Sequence, residues 1–149
     1  MSKPTLLLVE DNPDHIELTL LALEESGESH TITVVSTGRE ALDYLFCEGK
    51  HKDRPTDQPP ELVLLDLGLP GMNGLEVMQQ MRDDPRTFFV PIVMLTSANE
   101  KSKAVMAFKG GLNSYVRKPL HYRDFMEKLE QVREYWRTSN FAPLGTLGL

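Results

Sequence analysis

Cys47 is the only cysteine in the chain, so no disulfide can close within it, which suits a reducing compartment such as the cytosol. Long hydrophobic runs are missing too. No apolar stretch approaches the ~20 residues of a membrane-spanning helix. The opening MSKPTLLLVEDN has one Lys and a short apolar run before its acids, too little for a secretion signal. Positive charge is scarce: 16 Lys and Arg stand against 22 Asp and Glu, a net charge of −6. That balance disfavours a large non-specific hold on nucleic acid. Neither G-x-G-x-x-G nor G-x-x-x-x-G-K-[ST] occurs, so the nucleotide-binding loops are excluded. Internal repeats and low-complexity tracts are absent as well.

What is there is an ordinary globular composition, 40% hydrophobic and 26% charged over 149 residues. That length fits one domain with a core of its own. Apolar runs alternate with helical patterns. Thr5–Val9 is a strand with no polar alternation, so both its faces are expected to be covered. Asn12 and Pro13 read as an N-cap and first helical position, and Ile16, Leu20 and Leu23 supply an apolar stripe. Gly27 is a stop for that helix, and Thr31–Val35 is a β-branched strand. Thr37-x-x-Glu40 reads as a capping box opening a helix through Leu45.

Residues 48–60, EGKHKDRPTDQPP, read as a long polar loop rather than an element, with its basic stretch KHKDR solvated. A third strand covers Leu62–Leu65. Asn73-x-x-Glu76 opens a helix carrying Val77, Met78 and Met81, and Pro91–Leu95 is a fourth strand. Ser97-x-x-Glu100 opens a helix ended by Gly110-Gly111, and Ser114–Val116 is a short fifth strand. The last helix runs from Tyr122 to about Arg137. Strands alternating with helices imply βαβ units, a parallel sheet and right-handed crossovers. The fold class is therefore α/β, doubly wound (βα)5. The chain is read as one domain, 1–149, with its core over about 4–137 and a tail over 138–149.

In an open parallel sheet, sites form at the carboxyl ends of strands. The first strand ends in Glu10-Asp11, the third in Asp66, the fourth in Thr96-Ser97 and the fifth in Lys118-Pro119. Each residue has a plain alternative. Glu10 and Asp11 can be a turn and helix start, Thr96 part of a cap, and Lys118 a solvated charge. Taken together they describe something else. Converging carboxylates repel by roughly 4 kcal/mol per pair at 4 Å and an effective dielectric near 20. A cation in the crevice removes that cost, and Mg²⁺ takes a few carboxylates, waters and a phosphate. Lys118 adds a point charge and Thr96 a hydroxyl, completing a site suited to a phosphoryl group.

Four stretches carry a family resemblance: VEDN (9–12), LLDLGLPGMNG (64–74), VMLTSA (93–98) and YVRKP (115–119). With them the chain resembles the receiver domain of two-component response regulators across essentially residues 4–137. The resemblance implies a flavodoxin-like strand order, 2-1-3-4-5. It implies that Asp66 accepts a phosphoryl group from a histidine kinase, forming 4-aspartylphosphate. Asp11 would ligate Mg²⁺ directly, Glu10 through water, and Gly68 through its backbone carbonyl. Thr96 and Lys118 would hold the phosphoryl oxygens, Tyr115 would be the rotamer switch coupled to Thr96, and the bond before Pro119 would be cis.

Within that family the chain is similar to the single-domain regulators of cyanobacterial phytochromes. The loop at 48–60, SANE after the fourth strand and an apolar tail after YW carry that likeness. It implies a phytochrome-type kinase, a homodimer and a cytoplasmic protein that passes its signal by protein contact or onward phosphorelay. No nucleic-acid or membrane partner is expected. The readout face would be the fourth helix, fifth strand and fifth helix. The protein would be a switch assisting its own phosphotransfer and dephosphorylation, not an enzyme. A phosphatase attacking through a strand-tip Asp needs a second acid two residues on, and position 68 is Gly. A dimeric adaptor that works without phosphorylation is the remaining alternative.

Overall fold

The structure, a computed structural model, describes residues 5–25, 31–56, 58–96, 114–117 and 127. Five parallel strands form one sheet: β1 (Thr5–Val9), β2 (Thr31–Val35), β3 (Leu62–Asp66), β4 (Ile92–Thr96) and β5 (Ser114–Arg117). Their order is β2-β1-β3-β4-β5, as the resemblance implies. Three helices are described: α1 (Pro13–Glu25), α2 (Gly38–Leu45) and α3 (Gly74–Arg82). The stop at Gly27, the helices expected after Ser97 and from Tyr122 to Arg137, and the tail lie outside the described residues.

Three strands differ in extent from the sequence reading, β5 by reaching Arg117 rather than Val116. β3 runs one residue further because Asp66 stays in register with Leu95, and the Leu67 N–H donates to the Leu95 carbonyl at 2.8 Å. β4 begins at Ile92 rather than Pro91 and reaches Thr96. Pro91 has no N–H for the ladder, but its carbonyl accepts from the Val63 N–H at 3.0 Å.

The central strands are apolar because helices cover both sides of the sheet. Leu7, Val9, Val63, Leu65, Ile92 and Met94 face α2 and α3, packing with Leu42, Val77, Met78 and Met81. Leu6, Leu8, Leu62, Leu64, Val93 and Leu95 face the other way, where Leu23 of α1 joins them. Neither face has room for polar alternation, which is why the runs carry no period-two signal.

Caps set where the helices start. The Asn12 Oδ1 accepts from the Asp14 and His15 amides at 2.9 and 3.2 Å, opening α1 with Pro13 in the first position. Asn73 and Glu76 form a full reciprocal capping box at α3. At α2 only half of the expected box forms. The Thr37 hydroxyl accepts from the Glu40 amide, but the Glu40 carboxylate accepts from the Ser36 N–H, one residue too early.

Glu40 is diverted by the 48–60 segment, which is more ordered than a solvated loop. It contains a short 3₁₀ turn, Gly49–His51. Lys50 reaches the Glu40 carboxylate at 2.6 Å. The His51 ring meets the Tyr44 ring edge-on with centroids 5.2 Å apart, and the Arg54 guanidinium lies 3.7 Å over the Tyr44 ring. Arg54 also donates to the carbonyls of Tyr44 and Gln58. The basic stretch therefore folds onto α2.

The Lys50 ammonium holds the Glu40 carboxyl below its usual range. Because the folded form binds its proton less readily than the unfolded chain, the pair stabilises the fold above the ordinary carboxylate pKa. That contribution disappears as pH falls through the lowered value. Lys50→Ala should cost about 0.5 kcal/mol at pH 7 and nothing resolvable at pH 2. Urea midpoints at the two pH values check this. An equal cost at both would mean the pair acts through packing alone.

Candidate functional site

The sheet order reverses direction at β1 and β3, the place where a crevice opens at the carboxyl ends of strands. Val9 pairs with Leu65, so Glu10 and Asp66 follow side by side. Glu10 is fully buried, Asp66 is 4% exposed, and Asp11 is exposed at the rim. One carboxylate oxygen from each of Glu10, Asp11 and Asp66 lies within 4.8 Å of the others. The structure thus brings together the three acids that the strand ends singled out.

Backbone amides hold two of these acids in place. The Gly68 N–H donates to the Asp66 Oδ1 at 3.0 Å, a turn closed by the side chain. The Asp11 and Asn12 amides donate to the Glu10 Oε2 at 3.2 and 3.4 Å. The Glu10 main chain is anchored in turn, its N–H donating to the Val35 carbonyl at 3.0 Å. Charge-assisted bonds of this kind offset part of the cost of burying a carboxylate.

The floor of the crevice is set by close backbone packing. Gly74 opens α3 so near the end of β3 that an added Cβ would stand 2.6 Å from the Asp66 carbonyl oxygen. Gly38, at the start of α2, approaches the Met72 carbonyl in the same way, its Cβ position 2.7 Å away. Both glycines are there for space rather than for backbone freedom. Gly68, on the rim, is exposed and is not among the glycines with positive φ.

The donor set suits a hard divalent cation. Oxygens at about 2.1 Å from Mg²⁺ span roughly 4.2 Å across the ion, and a carboxylate acting through water stands further out. Three acids within 4.8 Å match a shell of that mixed kind. They lack the nitrogen and sulfur donors that zinc prefers.

Other expected site residues are partly in view. Thr96 is the last residue of β4, paired with Arg117, and Tyr115 pairs with Met94 in the same ladder. Lys118 and Pro119 lie outside the described residues, as does Ser97. One neighbour of the acids was not singled out from the sequence. The His15 Nδ1 lies 3.6 Å from the Glu10 Oε1. A lone His in the first turn of a helix carries no spacing signal, because the contact crosses the turn between β1 and α1.

A sequence model of the response regulator receiver domain matches residues 6–130. The chain belongs to that family. Its receiver fold is shared with relatives of several kinds. The probable methanogenesis regulatory protein FilR2 of Methanothrix harundinacea is 37% identical over 139 residues, covering 93% of this chain and 86% of FilR2. Among solved structures, the bacteriophytochrome response regulator RtBRR is 44% identical with a TM-score of 0.79, over 89% of this chain and 78% of RtBRR. The phosphorylated cyanobacterial phytochrome response regulator RcpA is 30% identical with a TM-score of 0.76, over 91% and 94%. A structure of response regulator Rcp1 contains Mn²⁺; it is 27% identical with a TM-score of 0.75, over 91% and 94%. Close structural neighbours of this receiver domain are thus phytochrome response regulators. Among the described residues no helix is long and apolar enough to cross a membrane.

Proposed function

We propose that this receiver domain is a phosphorylation-activated switch that takes its phosphoryl group from a histidine kinase onto Asp66. The observation that carries this reading is the buried Asp66 carboxylate at the sheet's reversal point, within 4.8 Å of the Glu10 and Asp11 carboxylates. Asp66 attacks the phosphorus of a phosphohistidine. The P–N bond breaks, and its electron pair stays on the imidazole nitrogen, which takes up a proton. Asp11, Asp66 and the Gly68 carbonyl would hold Mg²⁺ directly and Glu10 would hold it through water. Bound there, it would supply charge neutralisation at the transferring oxygens. Thr96 and Lys118 hold those oxygens afterwards, and Tyr115 moves into the space Thr96 vacates.

Adding about −1.5 to −2 charge at Asp66 favours the state in which Thr96 and Lys118 close on it. A shift from 1:99 to 99:1 needs about 5.5 kcal/mol of differential stabilisation, within reach of a few charge-assisted hydrogen bonds. The protein assists its own phosphotransfer and dephosphorylation and passes the signal by contact. The likeness to RtBRR and RcpA supports a phytochrome-type kinase in the cytoplasm. The apolar tail residues Phe141, Leu144, Leu147 and Leu149 support a homodimer, with a phosphorelay protein as a further partner. A phosphorylation-independent adaptor would have no use for three clustered acids.

Incubation with acetyl phosphate tests this reading. An alkali-labile label of about one per chain is expected with Mg²⁺ and none with EDTA, as an acyl phosphate requires. Beryllofluoride should change the association state in the same metal-dependent way. Labelling that ignores metal would contradict the proposal.

The lifetime of the label depends on Gly68. This exposed residue bears no side chain to shield the acyl phosphate from water, and its φ permits one. Gly68→Arg should lengthen the phosphoryl half-life several-fold while leaving the labelling stoichiometry unchanged. An unaltered half-life in both Gly68→Arg and Gly68→Asn rules out shielding.

A further inference from the structure

We infer that Leu69 is a positioning residue: its side chain, seated in the core, orients the Gly68 carbonyl and through it sets the affinity for the divalent cation. The inference rests on the proposed part of that carbonyl in holding Mg²⁺.

A carbonyl ligand is only as well placed as its peptide plane. The Gly68 C=O and the Leu69 N–H share one rigid plane, so the two move together. Gly68 does not hold that plane by itself. It is exposed, it has no side chain to anchor, and glycine has the widest choice of backbone angles. Its N–H donates to the Asp66 Oδ1 at 3.0 Å, which fixes the peptide before it. The peptide after it answers to Leu69.

Leu67 and Leu69 are 1% and 4% exposed, and both enter the core cluster lined by Leu42, Val77 and Met78 of α2 and α3. Gly68 therefore spans two buried residues, which are anchored differently. Leu67 is tied through its main chain: its N–H donates to the Leu95 carbonyl at 2.8 Å, and its own carbonyl accepts from the Gly74 N–H at 3.2 Å. Leu69 stands between the exposed Gly68 and Pro70, and its side chain is what enters the core. A residue before proline is held to extended backbone angles. Pro70 and Gly71, with Gly71 at φ +73°, are the pair that the middle of a type II turn uses. They return the chain to Met72, which packs half-buried against the same cluster. Residues 69–72 thus form a short arch with an apolar foot at each end and an exposed tip. Gly38 leaves room for the second foot, since a Cβ there would stand 2.7 Å from the Met72 carbonyl oxygen and 3.1 Å from the Met72 Cβ. The first foot, Leu69, adjoins the Gly68 carbonyl directly.

Support behind a metal ligand is worth about tenfold or more in affinity. Leu69→Ala should therefore weaken Mg²⁺ binding about tenfold, read by calorimetry on the full unphosphorylated chain. Leu69→Met fills the same seat and should bind like wild type. Leu69→Val, a smaller truncation, should lose affinity to an intermediate degree, and it carries the test where Leu69→Ala fails to fold. The control for a merely structural role is Leu45→Ala at the far end of α2. It makes the same truncation in the same cluster, at a residue 6% exposed. It should melt at a lower temperature in EDTA and still bind Mg²⁺ like wild type. Carbon-13 NMR reads the carbonyl directly. The Gly68 carbonyl resonance should shift on Mg²⁺ saturation in wild type and Leu69→Met, and shift less in the truncations at residue 69. The inference is overturned if those truncations bind Mg²⁺ like wild type, or if Leu45→Ala loses as much affinity as Leu69→Ala. It is also overturned if the truncations leave the Gly68 shift unaltered. Failure of the underlying reading looks different: wild type itself would bind no Mg²⁺, or would bind it with no shift at Gly68.

Discussion

Asp66→Asn should carry no phosphoryl label at all from acetyl phosphate or a kinase, while folding more stably than wild type in EDTA. The two effects share one cause. The carboxylate at residue 66 is the nucleophile in the proposed transfer, and it is one of three acid groups within 4.8 Å. An amide oxygen cannot form the acyl phosphate, so transfer stops. The Asn oxygen can still accept from the Gly68 N–H, now 3.0 Å from Asp66 Oδ1, so the turn survives. Repulsion between charges at that spacing is worth roughly 3 kcal/mol at an effective dielectric near 20. A realised gain of about 1 kcal/mol is expected once solvent screening at the exposed Asp11 is allowed for. Mg²⁺ should narrow the difference, because it binds the folded wild type more tightly than the variant. Melting curves with and without Mg²⁺, run beside the labelling assay, check both halves. Persistent one-to-one labelling of the variant would place the acceptor elsewhere.

The second large effect is expected at Gly74. Helix propensity alone says that Ala in the first turn of α3 should stabilise, by up to about 1 kcal/mol. Packing says the reverse. The added methyl would sit 2.6 Å from the Asp66 carbonyl oxygen and 2.9 Å from the Leu67 Cα, both backbone atoms that cannot swing aside. Either α3 retreats or the end of β3 moves. We expect Gly74→Ala to destabilise by about 2 kcal/mol, in the range of overpacked cores. Phosphorylation should also slow, because the displaced segment carries Asp66. Gly71→Ala is the control. Gly71 has φ +73° and nothing within 4 Å of its Cβ position. That substitution should cost about 1 kcal/mol of backbone strain and leave the labelling rate alone. If Gly74→Ala were as stable as wild type, helix α3 would have to be free to move, and the close contact would not govern the site.

Much of this was legible along the chain. Thr5–Val9 and Leu62–Leu65 announce buried strands by their composition, since a strand covered on both faces has no polar positions, while Thr31–Val35, an edge strand with Thr31 and Val34 exposed, is announced by its β-branched residues. Asp66, Glu10 and Asp11 stand out because each carboxylate interrupts such a run at its carboxyl end. Asn73 and Glu76 were readable as a capping box because both halves lie within one turn. Thr37 and Glu40 share the same spacing, yet Glu40 was claimed by Lys50, which approaches from a different segment. The KHKDR stretch looked solvated for the same reason. Its partner Tyr44 is set by how the loop folds over α2, and composition does not encode that.

By itself, the sequence determined the alternation of strands and helices and the acids at the strand ends, because periodicity and local composition report burial directly. It also carried the motifs that mark the receiver family. Only the tertiary structure decided which atoms meet. The parallel register that sets Val9 beside Leu65 brings Glu10 to Asp66 across 56 positions of chain. The approach of Gly74 to the Asp66 carbonyl and the turn of His15 toward Glu10 are likewise matters of packing. Contacts between separate segments depend on how close two backbones come, a distance that no local pattern of residues specifies.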